Sequence, residues 1–396
     1  MSKIKILYIH HAAGWGGAPI NMINIIKNLD PIKFEAHVLL LKDSVVKDRL
    51  KDLNINYTVC NLYFYKKLYT YFSHTDAGLI KPYQFIKLLK CFFSWYLSKY
   101  YFAPKVLKSH NFDIVQLNSS VLSDWIHPAS RKGKVIYHIQ EPISKGYLGI
   151  RYHFIRSEVA KFADKIIAIS LDNAKRINLP NKTEIVYNFT EIPERLEVSD
   201  SIKRVLYVGG PAKIKGIDVL IDAIPFIDKK IKINLVGHYP NLKPLGFIKK
   251  IAYQILYPSA FKLRNKLESL ILYPNINLIG SVININSELQ KTTILVSPFT
   301  VPHFSRPVIE AFAYGKPVVA SDVLGMDEIV NDNLNGMLFK NGDANELAKA
   351  INKLVFDEKK LIEMGEKGRN KAIKIYSPKP NMKIVETIYS ELMNQH

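Results

Sequence analysis

Short apolar, β-branched runs alternate with longer helical patterns along most of the chain. In the first half, the runs that resemble buried strands are Ile4–Ile9, Phe34–Leu41, Asn56–Cys60, Asp113–Leu117, Lys134–His138, Lys165–Ile169 and Glu184–Tyr187. In the second half they are Lys203–Val208, Lys232–Val236, Asn275–Ile279, Thr293–Val296, Pro317–Ala320 and Met337–Phe339. Alternation of this kind is typical of parallel sheets covered by helices on both faces, and it predicts an α/β protein.

The strand pattern restarts at Lys203 after the polar stretch Glu191–Ser201, which we interpret as an interdomain linker. The 396 residues also exceed what one hydrophobic core usually supports. We therefore predict two Rossmann-like, doubly wound domains that face each other across a cleft. Their predicted bounds are 1–198 and 199–376, and a C-terminal helix over 377–396 is expected to pack back on the first domain.

The chain has a formal net charge of +20, from 55 Lys and Arg residues against 35 Asp and Glu residues. Nucleic acid, an anionic membrane or a phosphorylated substrate would each account for this excess. The hydrophobic content of 48% excludes a disordered chain. Cys60 and Cys91 fit neither a CxxC pair nor a zinc site, which favours a reducing, cytoplasmic environment. The apolar run Ile6–Ile9 is too short for a signal-peptide core, and no apolar stretch predicts a transmembrane helix.

Three strand-to-helix junctions are candidate ligand sites, because helix N–H groups and the helix dipole point there. The first is the glycine-rich loop Gly14–Pro19, which suits an anion or a sugar, although a tight turn without a ligand explains it too. This loop lacks the GxGxxG pattern followed by an acidic residue, so dinucleotide binding is disfavoured. The second junction is Tyr207–Gly216. Its Lys215 at a helix start fits an anionic ligand such as a diphosphate, or is simply a solvated lysine.

The third junction, Ser297–Ala320, leads from a predicted strand into a helix whose first turn contains Pro307. Glu310 then lies one turn into this helix. Its carboxylate either complements the helix dipole, for about 0.3–1 kcal/mol, or holds a ribose diol by a bidentate hydrogen bond.

Five segments of the sequence resemble a known enzyme family. They are EAFAYGKPVVASD (Glu310–Asp322), EIVNDNLNGMLFKNGD (Glu328–Asp343), KGIDVLIDA (Lys215–Ala223), ADKIIAIS (Ala163–Ser170) and IVYNFTEI (Ile185–Ile192). On these motifs the chain resembles the retaining glycosyltransferases of family 4, which have the GT-B fold and are also described as glycosyl transferases group 1. The resemblance spans most of the chain, and its first two motifs are specific.

The resemblance implies a role for several residues of the three junctions. Glu310 matches the second glutamate of an E-x7-E motif, which holds the donor ribose, and Lys215 matches the lysine that binds the donor phosphates. Gly16 and Gly17 match the glycine-rich loop under the donor diphosphate and sugar. Further predicted substrate-binding residues in the second and third junctions are Gly209, Gly210, Phe304 and Ser305.

His138, at the end of a predicted strand, matches a histidine near the reacting sugar, and Glu141 follows close by. Neither is an obvious nucleophile, and the family is thought to retain configuration by front-face attack assisted by the leaving phosphate. His138 is alternatively a satisfied histidine at a strand end.

Two positions depart from the family pattern. The first glutamate of E-x7-E is replaced by Pro302, and an arginine of the glycine-rich turn is replaced by Gly210. A diphosphate leaving group needs cationic or N–H partners, because its negative charge grows as the glycosidic bond breaks. We hypothesise that Arg306, with Lys215 and the Ser305 amide, supplies the missing charge. The alternative is that Arg306 is a structural ion-pair partner.

Two segments combine lysines with aromatic residues. Leu62–Lys108 contains eight lysines and one acidic residue, and Tyr239–Tyr273 is similarly basic. Their stretches Phe85–Tyr101 and Phe247–Leu256 can form amphipathic helices. A core position is the usual explanation for aromatics at helical spacing, yet basic helices with Trp and Tyr suit the surface of an anionic membrane.

These observations predict an enzyme that moves a hexose from a nucleotide sugar, such as UDP- or GDP-hexose, to a glycan or lipid-linked acceptor during cell-surface polysaccharide or glycoconjugate synthesis. We expect neither a metal nor another cofactor, and peripheral contact with the inner face of the cytoplasmic membrane. The alternative is a catalytically silent homologue that binds a sugar nucleotide or a glycan, because of Pro302 and Gly210. Nucleic acid is not an expected partner, since no matching module is present.

Overall fold

The computed structural model describes residues 2–11, 14–71, 84–194, 202–240, 242, 246–282 and 284–394. Contacts divide the chain into two units, one formed by Met1–Phe189 with Pro378–His396 and the other by Thr190–Ser377. Each unit contains a parallel sheet with helices between successive strands. The two units are therefore described separately.

The strands of the first unit are β1 (Ile4–His10), β2 (Phe34–Leu40), β3 (Tyr57–Val59), β4 (Ile114–Leu117), β5 (Lys134–Ile139), β6 (Lys165–Ala168) and β7 (Thr183–Ile185). Its helices are α1 (Gly17–Asn28), α2 (Val45–Asp52), α3 (Phe85–Leu97), α4 (Ala103–Leu107), α5 (Ser123–Ser130), α6 (Ile150–Phe162), α7 (Leu171–Ile177) and, from the end of the chain, α15 (Pro378–Asn394). Wider helical turns occupy Phe64–Leu68 and Ser98–Phe102, and 3₁₀ turns occupy Tyr147–Gly149 and Pro180–Lys182.

The strands of the second unit are β8 (Arg204–Val208), β9 (Lys232–Val236), β10 (Ile276–Ile279), β11 (Ile294–Ser297), β12 (Val318–Ser321) and β13 (Gly336–Phe339). Its helices are α8 (Ile217–Ala223), α9 (Phe247–Leu256), α10 (Pro258–Ser269), α11 (Asn286–Lys291), α12 (Arg306–Ala313), α13 (Ala344–Val355) and α14 (Glu358–Ile375). Short 3₁₀ turns occupy Lys213–Lys215, Ile224–Phe226 and Leu270–Leu272.

All thirteen predicted strands are present, with ends within two residues of the prediction, and every pairing between them is parallel. The strand orders are β3-β2-β1-β4-β5-β6-β7 and β10-β9-β8-β11-β12-β13. Both orders are doubly wound, because the chain leaves the first strand of each sheet toward one edge and later returns to its other side. The predicted α/β fold class is therefore confirmed. In such sheets a ligand crevice is expected at the carboxyl ends of β1 and β4 and of β8 and β11.

The boundary between the units lies nine residues before the predicted position. Phe189 is fully buried in the core of the first unit, whereas the N–H of Thr190 donates to the carbonyl of Tyr376 in the second unit, at 2.9 Å. The predicted boundary at 198 falls in residues 195–201 of the interpreted linker, which lie outside the described residues. The C-terminal helix α15 belongs to the first unit, where Val385, Ile388 and other residues join the same core.

The two basic segments are largely helical. α3 and the helical turn after it cover the predicted Phe85–Tyr101 helix, and α9 has the predicted bounds. Within these segments, residues 72–83, 241 and 243–245 lie outside the described residues. Across the part of the chain that the structure describes, no helix combines the length and the apolar character needed to cross a bilayer.

Gly216, which joins the turn Lys213–Lys215 to α8, provides a test of the second unit's packing. Its φ is 71°, and a Cβ atom there would lie 1.7 Å from the carbonyl oxygen of Pro298. We expect Gly216→Ala to lower the free energy of unfolding by more than about 2 kcal/mol, because backbone strain of about 1 kcal/mol adds to overpacking. The measurement is the midpoint of urea unfolding.

Gly342→Ala is the matched control for this prediction. Gly342 also has a positive φ, 81°, but a Cβ atom there would meet nothing within 4 Å. The control should therefore show the backbone strain alone. Equal losses of stability in the two variants would contradict a packing role for Gly216.

Candidate functional site

Polar residues at the carboxyl ends of β1, β4 and β5 lie side by side at one edge of the first sheet. Ile9 pairs with Leu117, and Leu117 pairs with Tyr137, so the next residues of the three strands, His10, Asn118 and His138, are neighbours. All three side chains are buried. This edge is the crevice that the strand order predicts.

Asn118 ties the edge to the start of α1. Its Nδ2 lies 3.3 Å from Nδ1 of His10 and donates to the carbonyl of Ala18 at 3.2 Å. Its Oδ1 accepts a hydrogen bond from Nε2 of Gln140 at 3.1 Å. The glycine-rich loop and the residues after β4 and β5 are thus held in one hydrogen-bonded network.

His138 lies at the centre of this network and has no exposed surface. Its Nδ1 is 3.0 Å from Nε2 of Gln116. Burial lowers the pKa of His138 to about 3, so its imidazole is neutral at pH 7. In this state His138 can donate or accept a hydrogen bond but does not provide a positive charge.

Glu141 is held by the loop that follows β4. Its carboxylate accepts hydrogen bonds from the Ser119 hydroxyl (3.0 Å), the Ser120 hydroxyl (2.7 Å) and the Ser120 amide (3.2 Å). Burial raises the pKa of Glu141, and these hydrogen bonds oppose that shift. The structure therefore gives Glu141 an anchoring role between the ends of β4 and β5.

The glycine-rich loop leaves open space before α1. A Cβ atom at Gly14, Gly16 or Gly17 would meet no atom of the described residues within 4 Å. Gly16 caps α1 without a side-chain hydrogen bond, and the first turn of α1 contains no acidic residue. The first N–H groups of α1 and the positive end of its dipole are therefore suited to an anion.

Buried polar atoms without a hydrogen-bond partner lie on this loop and on the elements that flank it. Within the described residues they are His10 Nε2, His11 Nδ1, Trp15 Nε1 and Asn21 Oδ1. An unsatisfied buried polar atom costs about 1–3 kcal/mol unless a ligand or water completes it. Sequence reasoning did not single out His10, His11 or Asn21, although the two histidines directly follow the first predicted strand.

Gly209 and Gly210, at the end of β8, do not have free amides. Both N–H groups donate to the carbonyl of Val236, at 3.0 and 3.2 Å. A Cβ atom at Gly209 would lie 2.9 Å from Cδ of Lys215. The two glycines thus shape the turn and make room for Lys215, and their N–H groups are used within the second unit.

Lys215 is half-buried beside the loop that follows β11. Burial lowers its pKa, and among the described residues it makes no ion pair. Its charge also lowers the pKa of His303, which burial brings to about 3. The His303 ring stacks on Phe299 with 3.9 Å between ring centroids. Sequence reasoning missed His303, although it lies in the third junction.

Arg306 is paired with Glu310 on the first turn of α12. Its Nε donates to Oε1 of Glu310 at 2.7 Å, and the two side chains are 11% and 17% exposed. This geometry is the one expected if Arg306 is a structural ion-pair partner, which was the alternative to a role in binding the diphosphate. Nη1 of the same guanidinium is buried without a partner in the described structure.

The other two predicted residues of this loop are packed inside the second unit. Phe304 is buried, and its ring contacts Tyr376 edge to face with 6.0 Å between centroids. Ser305 is fully buried, and its hydroxyl accepts a hydrogen bond from Ser297 at 3.1 Å. The side chain of Phe304 therefore belongs to the core, and Ser305 positions the start of α12.

The predicted site residues thus form two groups, one at the carboxyl edge of each sheet. Gly16, Gly17, His138 and Glu141 belong to the first unit, and those of the second junction and α12 belong to the second. Within the described residues, no group of three or more His, Cys, Asp or Glu side chains is arranged to hold a metal ion.

Comparisons with known proteins agree with this architecture. Residues 188–371 match the family described as glycosyl transferases group 1. An uncharacterized glycosyltransferase of Methanocaldococcus jannaschii is 26% identical over 390 residues, which cover 95% of each chain. The capsular polysaccharide biosynthesis glycosyltransferase CapM of Staphylococcus aureus is 24% identical over 249 residues, covering 62% of this chain and 60% of CapM. The crystal structure of Anabaena Alr3699/HepE with UDP and glucose has a TM-score of 0.73 at 22% identity, covering 98% of this chain and all of that one.

The buried histidines of both edges predict that the protein loses stability in acid. The lowered pKa is about 4 for His10 and about 3 for His11, His138 and His303, against 6.5 for an exposed histidine. Between about pH 4 and 6.5 the unfolded chain binds more protons, so stability falls as the pH falls through this window. Asp124 and Glu141, whose pKa values are raised, act in the opposite direction but are fewer.

The midpoint of urea unfolding, measured from pH 7.5 to pH 4.5, tests this expectation. The midpoint should be constant near pH 7.5 and fall below pH 6.5. His303→Asn should reduce the slope, because it removes one of the four groups. A midpoint that rises on acidification would contradict the assignment of these histidines as neutral.

Proposed function

We propose that this chain, whose residues 188–371 match the family of glycosyl transferases group 1 and whose fold resembles that of Anabaena Alr3699/HepE, transfers a hexose from a nucleoside diphosphate sugar. The proposed acceptor is a glycan or a lipid-linked glycan of cell-surface polysaccharide synthesis. CapM, a relative of this chain, is a capsular polysaccharide biosynthesis glycosyltransferase, which supports this class of acceptor.

Lys215 is the single observation that carries the proposal. A half-buried cation without an acidic partner in the described chain is costly, unless an anion binds beside it. Lys215 stands at the carboxyl edge of the second sheet, where α/β proteins bind ligands, next to the neutral His303. A diphosphate supplies the missing negative charge. Arg306 is less suited to this role, since Glu310 already occupies its Nε.

The proposed reaction is a front-face transfer with retention of configuration. The bond between the anomeric carbon and the donor phosphate oxygen breaks, the acceptor oxygen bonds to the same face, and the acceptor proton passes to the departing phosphate. Lys215 stabilises the charge that develops on the diphosphate. The alternative double displacement needs a free carboxylate, and Glu141 is held by Ser119 and Ser120. No metal cofactor is proposed, because Lys215 and helix N–H groups provide the positive partners.

UDP is the nucleotide that we propose to test first. Anabaena Alr3699/HepE, which shares this fold, has been crystallised with UDP, with UDP-glucose, and with UDP and glucose. Taken by itself, the first unit offers a glycine-rich loop and an uncapped start of α1 that suit an anion.

We further propose that α3 and the turn after it contact an anionic membrane surface at its cytoplasmic face. Their exposed apolar side chains include Phe85, Ile86, Phe92, Phe93, Tyr96, Leu97, Tyr100 and Tyr101. Lys87 and Lys90 are exposed on α3, and Lys105 is exposed on the following helix α4. Lys99 does not contribute, since it is buried in an ion pair with Glu158 at 2.6 Å. An apolar face with flanking lysines suits a bilayer interface, which is where a lipid-linked acceptor resides.

Replacing Lys215 tests the donor site. We expect Lys215→Gln to lower kcat for sugar transfer or for donor hydrolysis by about 100-fold or more, because the cation that stabilises the leaving group is lost. UDP should also no longer raise the melting temperature of the variant. Lys213→Gln is the matched control, since Lys213 is exposed in the same turn. Equal activity in the two variants, or UDP binding without any turnover in the wild type, would refute the proposed reaction.

Charge reversal on α3 tests the membrane surface. Lys87→Glu/Lys90→Glu should lower binding to phosphatidylserine-containing vesicles at low salt by about tenfold or more, because each lysine near such a surface contributes about 1 kcal/mol. Lys229→Glu/Lys230→Glu changes the net charge equally at two exposed residues of the second unit. Flotation of the wild type and both variants to the same extent would show that α3 is not the contact surface.

A further inference from the structure

Four buried side chains form a hydrogen-bonded chain that links the C-terminal helix α15 to His138. The Tyr8 and Tyr389 hydroxyl oxygens are 2.8 Å apart, and the Tyr389 hydroxyl donates to Oε1 of Gln116 at 2.7 Å. Nε2 of Gln116 lies 3.0 Å from Nδ1 of His138. All four side chains are at least 99% buried, so solvent cannot replace any of these partners.

The direction of these hydrogen bonds follows from the requirement that the buried hydroxyl proton of Tyr8 has an acceptor. Burial raises the pKa of both phenols, so each keeps its proton. In the described structure the hydroxyl of Tyr8 has Tyr389 as its partner and no second acceptor. Tyr8 must therefore donate to Tyr389, and Tyr389 must donate to Gln116, since a reversed chain would leave a buried hydroxyl proton unpaired at a cost of about 1–3 kcal/mol.

The same direction orients the amide of Gln116. Because its oxygen accepts from Tyr389, its NH₂ group is turned toward His138 and needs an acceptor there. Nδ1 of His138 can be that acceptor only when it carries no proton, which places the ring proton on Nε2. Gln140 does not compete for this lone pair. Its Nε2 is nearly equidistant from both ring nitrogens, at 3.3 and 3.2 Å, and therefore lies over the ring rather than along one lone pair.

We propose that Tyr389 is a positioning residue that, through Gln116, holds His138 in the tautomer with its proton on Nε2. The last helix of the sequence is thereby part of the architecture of the first unit's candidate site. If the proposed transfer reaction holds, His138 serves it as a fixed neutral hydrogen-bond donor toward a sugar oxygen. The tautomer itself does not depend on that reaction.

Histidine ¹⁵N spectra of the full-length chain test the tautomer directly. Long-range ¹H–¹⁵N correlation separates a protonated from an unprotonated ring nitrogen, and His138→Asn assigns the signals. The wild type should show an unprotonated Nδ1 and a protonated Nε2 at pH 7.5. A protonated Nδ1 would overturn the proposal, without any need for a variant.

Two conservative variants test the role of Tyr389. Tyr389→Phe removes the donor to Gln116, so its amide is free to turn, and the Nδ1 signal of His138 should move toward the protonated position. Tyr8→Phe also removes one buried hydroxyl but leaves the bond from Tyr389 to Gln116, so it should preserve the wild-type signals. Equal spectra for the two variants, shifted or not, would refute the proposal. If Tyr389→Phe does not fold, the proposal is still tested by two spectra. Both the wild type and Tyr8→Phe must show His138 with an unprotonated Nδ1 and a protonated Nε2.

Activity measurements separate this proposal from the proposed function. A turnover loss in Tyr389→Phe that exceeds the loss in Tyr8→Phe, with an unchanged KM for the donor, is expected if both hold. The predicted tautomer shift without any transferase activity in the wild type would support the positioning role and refute the reaction. Transferase activity in the wild type, together with unchanged His138 signals in Tyr389→Phe, would support the reaction and refute the positioning role of Tyr389.

Discussion

The polar groups at the carboxyl edge of the first sheet must be satisfied without solvent, and much of the first unit depends on this constraint. His10, Asn118 and His138 are brought together by parallel pairing of β1, β4 and β5, and burial makes each unpaired donor or acceptor costly. The network therefore extends outward to partners on other elements, and only His10 Nε2, among the ring nitrogens and amide atoms of these three residues, is left without a partner in the described structure. One branch reaches the carbonyl of Ala18 at the start of α1, and another reaches Tyr389 on α15.

Lys215 and Arg306, the two candidate anion-binding cations of the second unit, differ in whether an acidic side chain pairs with them. Arg306 is compensated by Glu310 one turn along α12, so its charge already has a partner. Lys215 has none in the described chain, and its alkyl chain is packed against Gly209. A cation that is already paired with a carboxylate stabilises a bound anion only weakly, whereas an unpaired, partly buried cation stabilises it more strongly. The proposal therefore places the anion at Lys215, whereas the ion pair of Arg306 and Glu310 lies within α12.

Local pattern was sufficient to predict the strands and several helices, since strands buried on both faces read as continuous apolar runs. α9 and the helix that begins at Phe85 followed from their spacing in the same way. Contacts between segments that are distant in the sequence could not be predicted from local pattern. The use of the Gly209 and Gly210 amides by Val236 requires the pairing of β8 with β9, and the burial of Lys99 requires Glu158, 59 residues away. Tyr389 could not be connected to His138, because no local pattern relates a C-terminal helix to a strand end.

The absence of an arginine at position 210 has a structural reason. Gly210 has a φ of 62°, and a Cβ atom there would lie 3.4 Å from the amide nitrogen of His238. Gly237 approaches so closely that its own Cβ would lie 2.3 Å from the Gly210 nitrogen. A long side chain at position 210 would add strain of about 1–2 kcal/mol in this crossing of two turns. The tight crossing instead leaves Lys215 beside the end of β8, where the alkyl chain of Lys215 lies against Gly209.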